Sequence, residues 1–357
     1  MSTMSRIELE DTQINILLNL AYLNGKREFT INSPLLKAEL FRVELNRRGW
    51  NCTPSVDRDR IRDLEEKAKR KLPTYLHDEI PGFDSLRNVM VATGAFDGWE
   101  FGEEYLSGIK KIKAQIDKNT ICVDTNVLYN RFVSSTMYPH MLEEKLRHPP
   151  EFVVSHMVEG EVRNKMNRRY DKKDMEYLAD LGGPVYRELS GQYRLISRRA
   201  KLALSELEHM NNEYRMISHG NEEFVDDNDE RDKLIIKEYE DSYNETRKRP
   251  LIFGFEYSFK SKCTKVPFVF LRYPKDLFDV KIDQDRLYRL ILYMAQVYGV
   301  IQLKGLGCQF LGVWEGMTDS DFEKGRVTAL FDNQTTFVHD LRECVEISTA
   351  VKKKMKQ

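Results

Sequence analysis

The sequence predicts an α/β protein, a parallel sheet flanked by helices, with an N-terminal helical domain before it and a helical insertion within it. Three observations predict this. Short apolar runs of the buried-strand type, "ICV" at 121–123, "FVV" at 152–154 and "VPFVF" at 266–270, are separated by long helical stretches. The first run is followed by Thr125 and Asn126, which are suited to start a helix by capping it, and "EFVVSHMVEGEVRNKMNRRYDKK" begins as a strand and becomes a helix. Between 196 and 217, Ile196, Ala200, Ala203, Leu207, Met210, Tyr214 and Ile217 recur at spacings of four and three, a long helix with one apolar seam.

Taken in order, Asp11 is placed to cap a helix over "TQINILLNLAYLN", which Gly25 ends. A second helix is expected over "SPLLKAELFRVELNRRG". Ser33 would be its cap, Pro34 its first residue, Leu36, Leu40 and Val43 one face, and Gly49 its stop. A third is read in "CTPSVDRDRIRDLEEKAKRKL", with Ile61, Leu64, Ala68 and Leu72 at helical spacing. Three short helices of which the last carries arginines suggest a winged-helix-like domain over 1–82. The acids mixed among those arginines make an ordinary solvated helix the alternative to a DNA-reading one. A connector covers 83–118. The sheet domain is expected over 119–303, with a helical insertion at about 174–225, and additional strands and a basic helix over 304–357. The 196–217 seam would either pack on its own domain or join two copies of the chain.

Composition limits the function classes. Hydrophobic residues make up 41% and charged residues 32%, enough for a core of useful size under a charged surface. Net charge is -1, so a nucleic-acid partner must be held by local basic patches. The five cysteines form no C-x-x-C pair, which argues for reduced thiols and a cytoplasmic setting rather than a disulfide framework or a cysteine zinc site. The N-terminus "MSTMSRIELED" carries no secretion signal, and no apolar run is long enough to cross a membrane. The seven histidines make no H-x-x-x-H pair, and the glycines of "KGLGCQFLG" lack the lysine and hydroxyl of a phosphate loop.

Acidic residues carry the chemistry. Asp124 falls at the carboxyl end of the first strand, where open α/β sheets bind ligands. Asn126 is placed to hold the Asp124 carboxylate by a hydrogen bond. Glu161, or alternatively Glu159, falls near the start of the helix after the second strand. The acidic stretch 222–232 ends with Asp229 and Asp232 on one helical face, at the positive end of a helix dipole. Carboxylates converging at strand ends repel one another unless a cation sits among them, and all-oxygen ligands favour Mg²⁺ or Mn²⁺.

These motifs together resemble the PIN-domain family of metal-dependent nucleases. The run "ICVDTNVL" is similar to the family's first motif, Ser155 to Glu161 to its second, Asp232 to Ile235 to its third, and the helix ending Ala295–Gly299 before "VIQL" to its late helix and strand. The likeness covers 119–165, 229–240 and 266–303. It implies an endoribonuclease that hydrolyses phosphodiester bonds of RNA or DNA. Asp124, Glu161 and Asp232 would hold Mg²⁺ or Mn²⁺, with Asp229 as a further catalytic acid. There is one departure. Where the family has Thr-x-Asp after its fourth strand, "LRYPKDL" offers Arg272 and Pro274, so the fourth acid is absent or comes from Asp229 or Asp276. That departure leaves a second reading open, a PIN fold that binds nucleic acid or protein and no longer cuts.

Substrate would be held by local positive charge. Asn126, Arg163, Lys165, Arg168, Arg169 and Arg272 are the candidate binding residues. Arg194, Arg198, Arg199 and Lys201 form a further basic group, and Tyr170, Tyr193 and Tyr257 are aromatics that could stack on unpaired bases.

Overall fold

The computed structural model describes residues 5–46, 49–142, 149–189, 191–220, 224–312, 325–332 and 335–355. In chain order the first elements are β1 (Ser5–Leu9), α1 (Ile14–Leu23), β2 (Glu28–Ser33), β3 (Ala38–Asn46), β4 (Gly49–Pro54), α2 (Arg58–Lys69) and α3 (Phe83–Ala92). Then come α4 (Glu103–Ala114), β5 (Asn119–Val123), α5 (Thr125–Tyr129), α6 (Tyr138–Leu142), β6 (Glu151–Ser155) and α7 (His156–Lys165). They are followed by α8 (Lys172–Gly182), α9 (Leu195–Glu213), β7 (Arg215–His219), α10 (Asn228–Thr246), β8 (Arg249–Gly254), α11 (Tyr257–Lys262) and β9 (Phe268–Phe270). The last are β10 (Val280–Ile282), α12 (Gln284–Tyr298), β11 (Val300–Lys304), β12 (Cys308–Leu311), β13 (Val327–Phe331) and α13 (Thr336–Met355).

Two units divide these elements. The first comprises residues 1–89, 168–198 and 276–357, and the second 90–167 and 199–275. The first unit holds an antiparallel sheet of order β1-β13-β12-β11-β2-β3-β4-β10. Helix α12 is buried along most of its length from Leu287 to Tyr298 and packs on this sheet, with α1 against it. The second unit holds the parallel sheet, of order β7-β6-β5-β8-β9. Its inner strands β5 and β6 are buried at every residue, as a sheet covered on both faces requires. Fully burying Ile121 or Phe152 is worth roughly 1.5–3 kcal/mol each.

The α/β class and the parallel sheet flanked by helices agree with the sequence reading. The N-terminal helical domain does not. Only α1 and α2 of its three helices form, with Gly25 (φ +78°) after α1 and Asp57 capping α2 through Arg60 N at 2.7 Å. Residues 28–54 are the antiparallel meander β2–β3–β4 instead. The decisive pattern is two-residue alternation: Phe41 and Val43 point inward while Arg42 and Glu44 are exposed. Ser33 does cap, but a turn, accepting a hydrogen bond from Leu36 N at 3.3 Å.

Domain boundaries shift accordingly. Residues 1–82 are no separate domain, because β1 pairs with β13 and β2 with β11. The late helix and strand expected in the parallel sheet, α12 and β11, form where predicted but belong to the first unit's antiparallel sheet. The insertion ends earlier than 225, since β7 is a strand of the parallel sheet beside β6. Ala200, Ala203, Leu207 and Met210 of the α9 seam are buried within the chain, so the seam is already covered in a single copy. Glu222 and Glu223 of the acidic stretch, His148, and most of "GVWEGM" lie outside the described residues.

The fourth strand of the parallel sheet is β8, "RPLIFG". The run "VPFVF" forms only the three-residue edge strand β9. Pro250 hides β8 from a sequence reading, because proline is excluded from paired strand interiors. It is accommodated because β9 pairs only with Ile252–Gly254, leaving Pro250 with a partner on the β5 side alone.

Candidate functional site

The site grows from the order of the parallel strands. From β5 the chain adds β6 and β7 on one side, then returns to place β8 and β9 on the other. The connections therefore part at β5 and β8, and a crevice opens at their carboxyl ends. Asp124 leaves the end of β5 and Glu256 leaves the end of β8, on the two sides of this crevice.

Asp124 is 5% exposed and caps α5, its Oδ1 accepting from Thr125 N at 2.7 Å. Its own N–H donates to Phe253 O at 3.0 Å, which fixes the backbone against β8. Its Oδ2 is buried and accepts no hydrogen bond among the described residues. Gly254 makes this closeness possible: a Cβ there would stand 3.1 Å from Asp124 Cβ and 2.8 Å from Phe268 Cζ.

Glu161 lies on α7, after a strand whose Ser155 caps the helix through Met157 N. Its Oε2 accepts from Thr125 Oγ1 at 2.8 Å, so α5 and α7 are joined through the residue next to Asp124. Lys165 Nζ donates to Glu161 Oε1 at 2.5 Å, and Arg231 Nε stands 3.4 Å from Oε2.

Asp232 sits on the first turns of α10, which Asp227 caps through Glu230 N at 2.9 Å. Tyr239 anchors this helix to the sheet, donating to Val123 O at 2.7 Å and accepting from Ser155 N at 3.2 Å. Lys262 Nζ bridges Asp232 Oδ2 at 2.8 Å and Asp229 Oδ1 at 2.7 Å. The Asp229 side chain is 81% exposed against 21% for Asp232, which makes Asp229 the outer member of the pair.

The sequence reading missed Glu256. It is exposed, and Asn126 Nδ2 donates to its Oε1 at 2.5 Å. The expectation that Asn126 holds Asp124 is thus corrected: Asn126 reaches across to β8's acid, while backbone N–H of Thr125 holds Asp124. Phe255 carries Glu256 on a rigid base, stacked on Tyr273 at 4.2 Å and edge-on to Phe132 at 5.4 Å. Pro274 follows the fifth strand of the parallel sheet, β9, not the fourth, β8. Pro274 is buried, Asp276 belongs to the first unit, and β8 ends at Gly254 with Phe255 and Glu256 after it.

The charges of three carboxylates bear on Asp124. Asp124 is pushed up from 3.8 to about 7, first by burial, then by the charge of Glu256, with smaller contributions from Glu161 and Asp232. The bond from Thr125 N opposes this only in part. Lys262, by contrast, holds Asp229 below the usual carboxylate range through its hydrogen bond and charge. Among the described residues no three His, Cys, Asp or Glu side chains are gathered as a finished metal cage. Lys165, Arg231 and Thr125 meet Glu161, Lys262 meets Asp232, and Asn126 meets Glu256.

The expected binding residues separate into two groups. Arg163 is exposed on α7, Lys165 sits against Glu161, and Arg272 is exposed just past β9, where it acts on Glu104. All three belong to the second unit. Arg168 and Arg169 belong to the first unit. Arg169 is engaged there, donating to Gly191 O at 2.9 Å and to the Tyr193 hydroxyl at 2.6 Å. The basic group at the start of α9 is corrected in the same way. Arg198 is buried and donates to the carbonyls of Tyr193 and Gln296, Arg194 pairs with Asp174, and Lys201 is 1% exposed. Tyr170 is buried, and Tyr257 is exposed. No described helix is long and apolar enough to cross a membrane.

Comparison of the chain with protein-family models, with curated proteins and with solved structures finds no match.

Proposed function

We propose that the second unit is a PIN-like nuclease domain, a metal-dependent endoribonuclease that hydrolyses phosphodiester bonds. The observation that carries this reading is the buried Asp124 Oδ2. It has no hydrogen-bond partner among the described residues, and three other carboxylates act on its group at the crevice of a parallel sheet. A buried unpaired carboxylate oxygen is costly, and a cation is the partner that offsets both its burial and the repulsion around it. At the weakest place of the PIN likeness, β8 ends at Gly254 and Glu256 follows two residues later, an acid near where the family's Thr-x-Asp is expected.

The donor set suits a hard divalent cation, Mg²⁺ or Mn²⁺, held by Asp124, Glu161 and Asp232 with Glu256 at the rim. When bound, the ion would supply Lewis acidity toward a phosphate oxygen and lower the pKa of an attacking water. The chain's own residues do the positioning. Thr125 orients Glu161, Asn126 orients Glu256, and the Tyr239 hydroxyl fixes α10 and so Asp232. Arg163 and Arg272 are exposed cations of the same unit, free to meet the phosphates of an RNA or DNA strand.

The test is cleavage of end-labelled RNA by purified protein with Mn²⁺, beside Asp124→Asn. Cleavage that disappears with chelator and with the variant is the expected result. No cleavage of RNA or DNA, or equal cleavage by the variant, defeats the reading.

One observation favours a second reading, a nucleic-acid-binding module that does not cut. Lys262 holds Asp232, and Lys165 and Arg231 hold Glu161, so protein cations already neutralise two of the four acids. RNA binding that survives chelation, without turnover, would select it.

A further inference from the structure

We propose that Tyr257 is a stacking platform for an unpaired nucleobase, so that the crevice beside it takes single-stranded rather than duplex nucleic acid. The proposal rests on the nuclease reading for the identity of the polymer. Its evidence is separate, and lies in one exposed ring and what surrounds it.

Tyr257 is 70% exposed, although large aromatic side chains are ordinarily drawn inward. It is the residue after Glu256 and the first of α11, three residues past the carboxyl end of β8. Its ring is held. Phe270, the last residue of β9, meets it edge-to-face at 5.9 Å and 87°. Lys260 Nζ lies 6.0 Å from the Tyr257 ring centroid and 5.7 Å from that of Phe270. Lys260 is itself fixed by Glu104, whose oxygens it meets at 2.8 and 2.9 Å. A ring braced by an aromatic edge and a tethered ammonium keeps little rotamer freedom to lose on binding, which is what a stacking surface needs.

The surroundings decide what stacks there. A protein partner would call for a contiguous apolar patch of several hundred Å². The residues next to Tyr257 are instead charged or polar: Glu256 and Ser258 are exposed beside it in sequence, and Lys260 and Glu104 pair with each other. Arg272, two residues beyond Phe270, adds an exposed cation at the same strand ends, close enough to act on Glu104. A single π-face with cations around it, one residue from a phosphodiester-cleaving cluster, fits a base and its phosphates. The base must be unstacked, as in a single strand, because inside a duplex both faces of each base are covered by its stacked neighbours.

The experiment is fluorescence anisotropy with labelled oligonucleotides in the Asp124→Asn background, where the strand stays intact. The probes are a single-stranded oligouridylate, an abasic strand of equal length and a hairpin duplex. Tyr257→Ala is expected to weaken oligouridylate binding roughly 5- to 150-fold. Tyr257→Phe should stay within about twofold of the parent, since stacking needs the ring and not the hydroxyl. The abasic strand and the duplex should show no dependence on Tyr257. Oligouridylate affinity unchanged in Tyr257→Ala overturns the proposal, and is what a protein-facing tyrosine would give. If the wild-type chain cleaves RNA and Tyr257→Ala keeps its KM, only the subsite fails. If the chain neither binds nor cleaves any strand, the nuclease reading fails and the subsite with it.

Discussion

Asn126 donates its side-chain amide to Glu256 at 2.5 Å, joining the first turn after β5 to the first turn after β8. Two loops far apart in sequence thereby present their acids to the same crevice. Glu256→Gln is expected to lower Mn²⁺-dependent cleavage while leaving urea stability within about 0.5 kcal/mol, because the side chain is exposed. Asn126→Ala, which only loosens Glu256, should cost on the order of 10- to 100-fold in cation affinity or activity. Calorimetric titration with Mn²⁺ and end-labelled RNA assays check both.

Asp124 sets a pH dependence whose sign is fixed by its raised pKa. In an unfolded chain the carboxyl titrates near 3.8, and in the folded chain near 7. Between those values the folded state binds more protons, so stability contributed by the protonated carboxyl is full below about 3.8 and is lost as pH rises through about 7. Asp124→Asn removes that loss. In chelator, the variant's Tm should match wild type at pH 4 and exceed it at pH 8, by on the order of 1–4 kcal/mol in stability. Saturating Mn²⁺ should reverse the order at pH 8 by stabilising the wild type alone. Scanning calorimetry at the two pH values reads all four conditions, and a variant less stable than wild type at pH 8 in chelator contradicts the assignment.

Lys262 competes with any cation for Asp232. Replacing it with methionine keeps the stem and removes the ammonium. Lys262→Met should tighten Mn²⁺ binding about fivefold, the equivalent of one partly exposed ion pair of about 1 kcal/mol. A lower affinity in the variant would mean that Lys262 supports the site instead.

Tyr239 ties α10 to the ends of β5 and β6 through one buried hydroxyl. Tyr239→Phe leaves Val123 O and Ser155 N without that partner. The expected cost is about 1–3 kcal/mol in urea unfolding, together with weaker cation binding because Asp232 rides on the same helix.

Asp124, Glu161 and Asp232 could be picked out of the sequence because each lies at, or within the first two turns after, the point where a strand or an acidic run gives way to a helix. Those junctions are local, and local signals survive in a bare sequence. Glu256 was not legible, because Pro250 and the basic run before it disguise β8. The nearby "VPFVF" then looked like the fourth strand and drew attention to Pro274. The β2–β3–β4 meander was misread for a related reason. In "LLKAELFRVELN" the apolar residues satisfy a helical spacing and a strand alternation at once, and pairing of β3 with β2 and β4 makes the alternation the one that counts. β11 pairs locally with β12 but on its other side with the distant β2, and that second pairing lies outside any window of sequence.

The pairing of β1 with β13, Ser5 opposite Phe331, has a consequence for the order of events during synthesis. The first unit cannot close its sheet until the strand near the end of the chain has left the ribosome. The second unit has all its residues by Lys275. All residues of the acid site are thus synthesised before β13, the strand that β1 must pair with, has emerged.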